Sequence, residues 1–289
     1  MTELEKAYHD CYLTIAHHSK TFAKAFSILP APKRNAVWAV YSFCREVDDI
    51  VDEGENPKQQ LMEFESLFTQ FLNGSLQTDS SQWIALQDVF KNYEMDETAF
   101  WDMITGQKMD LIKNRYQTME ELEQYCYHVA SSVGLMLLPI LAPHTHEQLR
   151  TGGIALGIAM QITNVLRDVG EDLQRNRVYL PQEILDQYGV TIETLKEQKV
   201  TSGFVEVWEH LAKRAEQLFE VALDSIHAYP ADARIPVKGA ATMYRAILGK
   251  IRRNQYQVFN KRNYVTSEEK RVILSKMKFD TNSNKLHKV

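Results

Sequence analysis

Along most of the chain, apolar residues recur at intervals of three and four, the period of one helix face. The spacing predicts a first helix over Glu3 to His18 and a short helical continuation with Phe22 and Phe26 on one side. Pro30 and Pro32 punctuate the chain, and Pro32 can serve as the first residue of a helix. That helix runs through Val37-Trp38-Ala39-Val40-Tyr41 and stops near Gly54. Further helices are predicted at about 58–72, 81–92, 96–112 and 118–142, with two long ones at about 203–228 and 236–262. Gly152-Gly153 predicts a turn or a tight approach. No strand-like alternation persists beyond a few residues, and there is no internal repeat or low-complexity linker. The pattern predicts one all-α domain over residues 1–289, with a polar tail after Phe279 that is expected to fray.

Two polar lines interrupt these apolar faces. Thr151 to Met160 is an apolar, Ala/Gly-rich run, and it leads directly into Gln161, Asn164, Asp168 and Asp172. On one continuous helix those four side chains share a face. Amides and carboxylates on a greasy helix need partners, because unpaired burial is costly. Upstream, Asp48 and Asp52 lie one turn apart, with Arg45 and Tyr41 one and two turns before them. Carboxylates about 6 Å apart repel by roughly 3 kcal/mol at an effective dielectric near 20. A divalent cation relieves that repulsion. Mg2+ takes one or two carboxylates, keeps waters and completes its shell with phosphate oxygens. Zinc fits poorly, since no His or Cys stands among these acids. The expectation is that the two helices face each other across a pocket and hold magnesium, with Arg45 and Arg167 placed to take phosphate oxygens. Taken alone, the Asp48 pair reads equally well as a solvated helix face. The second line is harder to read that way, because apolar residues surround it.

Phe22, Phe26, Tyr41, Tyr125, Val129, Val133, Leu137 and Tyr244 are candidates to line an apolar channel leading away from the metals. Each alone reads more often as core. Aromatic faces beside a reacting carbocation would stabilise it as they do any cation.

Composition narrows the partners. Apolar residues make up 44% and charged residues 25%, with only 12 Gly and 8 Pro, which disfavours an all-β or loop-rich design. A net charge of −5 gives no general affinity for nucleic acid. Cys11, Cys44 and Cys126 are odd in number, scattered and without metal-ligand spacing, so they read as reduced thiols of a cytosolic protein. The N-terminus has no basic-then-apolar order of a signal peptide. The longest apolar stretch, Val133 to Ala142, is broken by Pro139 and too short to span a bilayer.

Three segments together carry a family resemblance. His18-Ser19-Lys20-Thr21-Phe22, Tyr41-x-x-x-Arg45-x-x-Asp48-Asp49-x-x-Asp52 and Gln161-x-x-Asn164-x-x-Arg167-Asp168-x-x-x-Asp172 resemble the squalene/phytoene synthase family, over about Tyr8 to Phe259. Within it, the chain is similar to bacterial dehydrosqualene (4,4'-diapophytoene) synthases. The resemblance implies an all-α isoprenoid synthase fold around a central cavity. It implies a prenyltransferase that joins two farnesyl diphosphates head to head, through presqualene diphosphate, to dehydrosqualene for C30 carotenoid biosynthesis. It makes Asp48, Asp52, Asn164, Asp168 and Asp172 the Mg2+ ligands. It makes His18, Ser19, Lys20, Thr21, Tyr41, Arg45, Gln161, Arg167 and Tyr244 contacts to diphosphate or prenyl chain. Asp110 matches a further acidic position near the metals. Lys261 and Arg262 compete for a late basic position.

The final proton acceptor is left open among released diphosphate, Tyr125 and Tyr244. Phytoene and squalene synthases share the acidic motifs and remain alternatives, as do a terpene cyclase and a non-catalytic assembly factor. Phe22 and Phe26, bulky and one turn apart, would shorten the channel and favour C15 over C20 chains. Asp168→Ala is expected to remove a metal ligand while leaving the fold intact. The sequence leaves the oligomeric state open. An insoluble hydrocarbon product suits transient docking at the inner face of a membrane, although no strongly basic amphipathic helix is present to mediate it.

Overall fold

The computed structural model describes residues 1–273 and 275, so the predicted fraying after Phe279 lies outside the described residues. Among them there is no strand, only one isolated bridge between Arg115 and Val178. The helices are α1 (Glu3–His18), α2 (Lys20–Phe26), α3 (Ala31–Glu53), α4 (Pro57–Leu72), α5 (Ser81–Asn92), α6 (Glu97–Ile112) and α7 (Met119–Cys126). A wide π turn, Tyr127–Ser131, joins α7 to α8 (Ser132–Leu141). Then come α9 (His146–Arg167), α10 (Val169–Gln174), α11 (Gln182–Gln187), α12 (Ile192–Lys196), α13 (Ser202–Asp224) and α14 (Ala231–Arg253).

Local chemistry sets many of the boundaries. Thr2 and Glu5 form a capping box at the start of α1. Asp96, Thr118 and Thr201 cap α6, α7 and α13 through their side chains. Pro30 and Pro230 precede α3 and α14, where no backbone N–H is required.

Four expectations change. The helix expected over 118–142 is split by the π turn, which packs against both α6 and α9. The last long helix starts at Ala231, five residues before Pro236, and ends at Arg253 rather than near 262. There the chain turns off through Gln255 and Tyr256, both with positive φ. Of the turn or tight approach expected at Gly152-Gly153, the turn is absent and the tight approach is present. Both glycines lie buried inside α9, where a Cβ on Gly152 would come 2.2 Å from the Ser225 hydroxyl. The fourth change, a break at Asp168, concerns the site and is taken up below.

Two hydrophobic cores carry these elements. One is built on α9, α13 and α14, with Trp208, Phe204 and Phe219 fully buried. The other surrounds α3, where Phe43 packs on Phe64, Phe68, Trp83 and Phe100 at centroid distances of 5.0–6.0 Å. Burying such rings supplies roughly 1.5–3 kcal/mol each. Phe22, Ile154 and Leu156 touch both cores. The functional cavity opens between them.

Candidate active site

A cavity of about 280 Å³ lies between α2, α3, α6, the π turn with α8, α9 and α14. Phe22, Phe26, Tyr41, Tyr125, Val129, Val133, Leu137 and Tyr244 all line it. Phe22 stacks on Phe26 at 5.8 Å and 7° and meets Tyr244 at 5.6 Å, so three rings form one wall. Charged and amide groups on the wall are few: Arg45 and Asp48 from α3, Gln107 from α6, Gln161 and Asn164 from α9.

The first acidic line sits on the unbroken helix α3. Asp48 accepts from Arg45 at 2.8 Å and from the buried Gln107 amide at 3.0 Å. Arg45 also pairs with Asp49. Shielded from bulk water and beside Asp52, the Asp48 carboxyl is pushed up to about 6 even though Arg45 opposes the shift. Asp52, one turn on, accepts from Arg175 at 2.8 Å and Arg177 at 2.9 Å, both from the loop after α10.

The second acidic line departs from the expectation of one helix over 151–172. The helix stops at Arg167, Asp168 leaves helical geometry (φ −105°, ψ 16°), and Asp172 falls on α10. The four polar residues are therefore divided between two helices, although the N–H groups of Asp168 and Asp172 still bond the carbonyls of Asn164 and Asp168 at 2.9 Å. Gln161 and Asn164 remain together, Asn164 donating to Gln161 at 3.1 Å. Asp168 is gripped by Arg167 through two bonds of 2.8 and 2.5 Å and approached by Arg262 at 3.4 Å. Asp172 is raised to about 8, first by burial and then by the charges of Asp168 and Glu171.

Between the two lines lies a network that the sequence did not reveal. Asp110 accepts from Tyr125 at 2.8 Å and from Tyr179 at 2.9 Å, and burial raises its carboxyl. Tyr125 itself is raised well above a free phenol by burial and by Asp110, so its hydroxyl stays protonated. Gln107 and Tyr179 were both missed. Gln107 carried a faint signal, one turn from Asp110 on α6. Tyr179 carried none, since its partner is 69 residues away.

His18, Ser19, Lys20 and Thr21 do not line the central cavity. They form the junction of α1 and α2, where the Ser19 hydroxyl accepts from the Phe22 N–H at 3.4 Å. His18 faces an open polar groove that it shares with Arg45, Asp49 and Glu53. Its imidazole is lowered by desolvation and by Arg45, which favours the neutral form. Lys20 is exposed, and Thr21 accepts from Lys270 at 2.6 Å. Of the two exposed residues at the late basic position, Arg262 reaches Asp168 and Glu171, at 3.4 and 3.5 Å.

Do these residues suit magnesium? No three His, Cys, Asp or Glu side chains among the described residues form a ready ligand cluster. Arginines hold Asp48, Asp52 and Asp168 instead. The donor set nevertheless has the right chemistry. The Asn164 side-chain amide oxygen is buried without a partner, and Asp172 carries a carboxyl that burial holds towards its neutral form. Both are hard oxygen donors of the kind Mg2+ takes. No described helix is long and apolar enough to cross a membrane.

Comparison with known proteins agrees with the architecture. A family model described as squalene/phytoene synthase matches residues 15–269. A 15-cis-phytoene synthase of Synechococcus elongatus is 37% identical over 284 residues, covering 93% of this chain and 92% of the relative. A solved dehydrosqualene synthase in complex with a ligand superposes with a TM-score of 0.92 at 39% identity, over 97% of this chain and 98% of that one. A squalene synthase of Alicyclobacillus acidocaldarius gives a TM-score of 0.82 at 26% identity, over 89% and 97%. With an all-α isoprenoid synthase fold built around a central cavity, the chain belongs to the squalene/phytoene synthase family of prenyltransferases.

Proposed function

We propose that this enzyme condenses two farnesyl diphosphates head to head, through presqualene diphosphate, into dehydrosqualene. The observation that carries the chain length is the stacked Phe22–Phe26 pair closed by Tyr244, in a cavity of about 280 Å³. That volume lies just below the roughly 300–1,000 Å³ usual for small-molecule pockets, which supports a C15 rather than a C20 chain. Asp48, Asp52, Asn164, Asp168 and Asp172 would hold Mg2+, which when bound supplies Lewis-acid withdrawal of charge from a leaving diphosphate. Arg45, Arg167 and Arg262, each paired with an acid of the two lines, would share its oxygens.

In the first step the donor's C1–O bond breaks and diphosphate leaves with the electron pair. The acceptor's double bond attacks the allylic C1, and a proton is lost as the cyclopropane closes. Loss of the second diphosphate lets the ring rearrange, and a second proton loss gives the C30 hydrocarbon without a reductant. Aromatic walls face the cations, and the apolar lining excludes the water that would quench them. Tyr125 is held as a donor to Asp110, which supports a role for it as a fixed hydroxyl dipole and favours released diphosphate as proton acceptor.

A second reading is synthesis of phytoene from C20 chains. It is favoured by the curated relatives, phytoene synthases such as those of Synechococcus elongatus and Daucus carota at 37–39% identity. Incubating the pure protein with Mg2+ and each prenyl diphosphate separately, then analysing extracted hydrocarbons, separates the two. A C30 product from farnesyl diphosphate is expected. A C40 product would overturn the chain-length reading, a cyclic C15 product would indicate a cyclase, and no turnover would indicate a scaffold. Phe26→Ala should then shift preference towards the C20 substrate. Unchanged preference would make Phe26 plain core.

A further inference from the structure

After Arg253 the chain does not simply trail away. It leaves α14 through Gln255 (φ 54°) and Tyr256 (φ 57°), successive non-glycine residues in the left-handed region. The turn is fastened: the Tyr256 hydroxyl donates to Glu209 at 2.8 Å and its ring meets Trp208 edge-on at 5.2 Å. The buried Asn263 ties the loop to itself, accepting from Asn254 at 2.5 Å and donating to the Gln257 carbonyl at 2.8 Å. The segment then crosses α10. Val258 accepts from the Gly170 N–H at 3.3 Å, and the Phe259 main chain lies directly on Gly170. A Cβ on Gly170 would sit 1.9 Å from the Phe259 carbonyl oxygen and 2.6 Å from its Cα. Beyond this footing the strap delivers Arg262 to Asp168 and Glu171, and Lys270 to Thr21.

We propose that Gly170 is a positioning residue for the diphosphate-binding half of the site. Its missing side chain lets the strap of residues 254–273 lie on α10, and that contact holds Arg262 over the second acidic line. Gly170 stands two residues from Asp168 and two from Asp172, so the acids and their guanidinium are set by one backbone contact. The obstacle to any larger residue is main chain, which cannot rotate aside, so Gly170→Ala must lift the strap or distort α10. This inference rests on the reading that the site takes a prenyl diphosphate.

The test uses the full-length protein, inorganic pyrophosphate with MgCl2 as the probe, and a double-mutant cycle. Gly170→Ala and Arg262→Ala are each expected to raise the pyrophosphate dissociation constant roughly tenfold, the scale of one charge-assisted contact. The double variant should be no weaker than the worse single. KM should rise more than kcat falls, and limited trypsin treatment should cut faster after Lys261 and Arg262 in Gly170→Ala. A folded Gly170→Ala protein with wild-type pyrophosphate affinity, or losses that simply add, would overturn the proposal. If Gly170→Ala does not fold, Phe259→Ala replaces it, since the Phe259 ring anchors the strap on Phe204 at 4.8 Å. The same non-additivity with Arg262→Ala is expected, and additivity overturns the proposal. If the wild-type protein itself binds no pyrophosphate, the functional reading fails, and the tryptic comparison still decides whether Gly170 seats the strap.

Discussion

The two acidic lines use the same residue types and are built in opposite ways. On α3, Asp48 and Asp52 project from 23 residues of unbroken helix, and each is neutralised from one side. Across the junction of α9 and α10, Asp168 and Asp172 are separated by a helix break, and Asp168 is enclosed by Arg167 and Arg262. The first arrangement places carboxylates at the edge of a cavity on a rigid support. The second divides its polar groups between two helices, and the Asn164 amide keeps an unsatisfied side-chain oxygen. A diphosphate gripped between them would meet one long helix on one side and a helix junction seated under the strap on the other.

The largest contrast should appear on removing one acid from each line. Asp52→Ala and Asp168→Ala are each expected to lower kcat by roughly 10³-fold or more, as loss of one preorganised electrostatic contact does. Their stabilities should diverge. The sequence led us to expect that Asp168→Ala would leave the fold intact. The structure gives Asp168 a partner in Arg167 that is only 14% exposed. Removing the carboxylate strands that guanidinium, at a cost on the order of 3 kcal/mol. Asp52→Ala frees Arg175, which is 46% exposed and can return to water at little cost, while the sheltered Arg177 keeps the Asp110 carboxylate beside it. Asp168→Asn keeps an acceptor and should recover stability without activity. Urea denaturation of the three variants checks this, and equal losses for the two alanine variants would erase the distinction.

A smaller effect should follow pH. Asp48 is raised to about 6 and Asp172 to about 8, both chiefly by burial. A raised carboxyl stabilises the fold fully below its unfolded pKa near 3.9 and loses that contribution as pH climbs through the folded value. Metal-free protein should therefore lose stability from about pH 4 to 8, most of it through Asp172. A cation must displace those protons, so the rise in Tm caused by Mg2+ with pyrophosphate should grow between pH 6 and 8.5. A rise independent of pH would mean that Asp172 does not face the cation.

The same contrast explains what the sequence could disclose. Helix α3 was legible because its apolar spacing, its entry at Pro30 and its acids all agree on one helix. Seven of the eight channel residues were legible because each sits on an α-helix whose period locates its face, while Val129 falls in the π turn. The break at Asp168 was not. Arg167-Asp168-Val169-Gly170 continues the helical pattern, with no proline to mark an end, and the main chain of Phe259 packs on Gly170 from a strap 89 residues away. Asp110 showed in the motif, while its bonds to Tyr125 and Tyr179 depend on where α6, α7 and the loop after α10 meet.

The finest test concerns the two arginines on Asp52. They bond it at nearly equal distances, yet Arg177 is 16% exposed and lies near Asp110 and Tyr179, whereas Arg175 is 46% exposed. If burial governs the worth of an ion pair, Arg177→Ala should cost on the order of 2–3 kcal/mol, because it removes the sheltered cation that lies beside both Asp52 and Asp110. Arg175→Ala should cost under about 1 kcal/mol and change kcat only a few-fold. Raising the salt concentration should weaken the Arg175 contribution far more than that of Arg177, since exposed pairs are screened and sheltered ones are not. Equal, salt-sensitive losses for both variants would mean that the loop after α10 is loosely held, and that only the cavity wall formed by α3 is rigid.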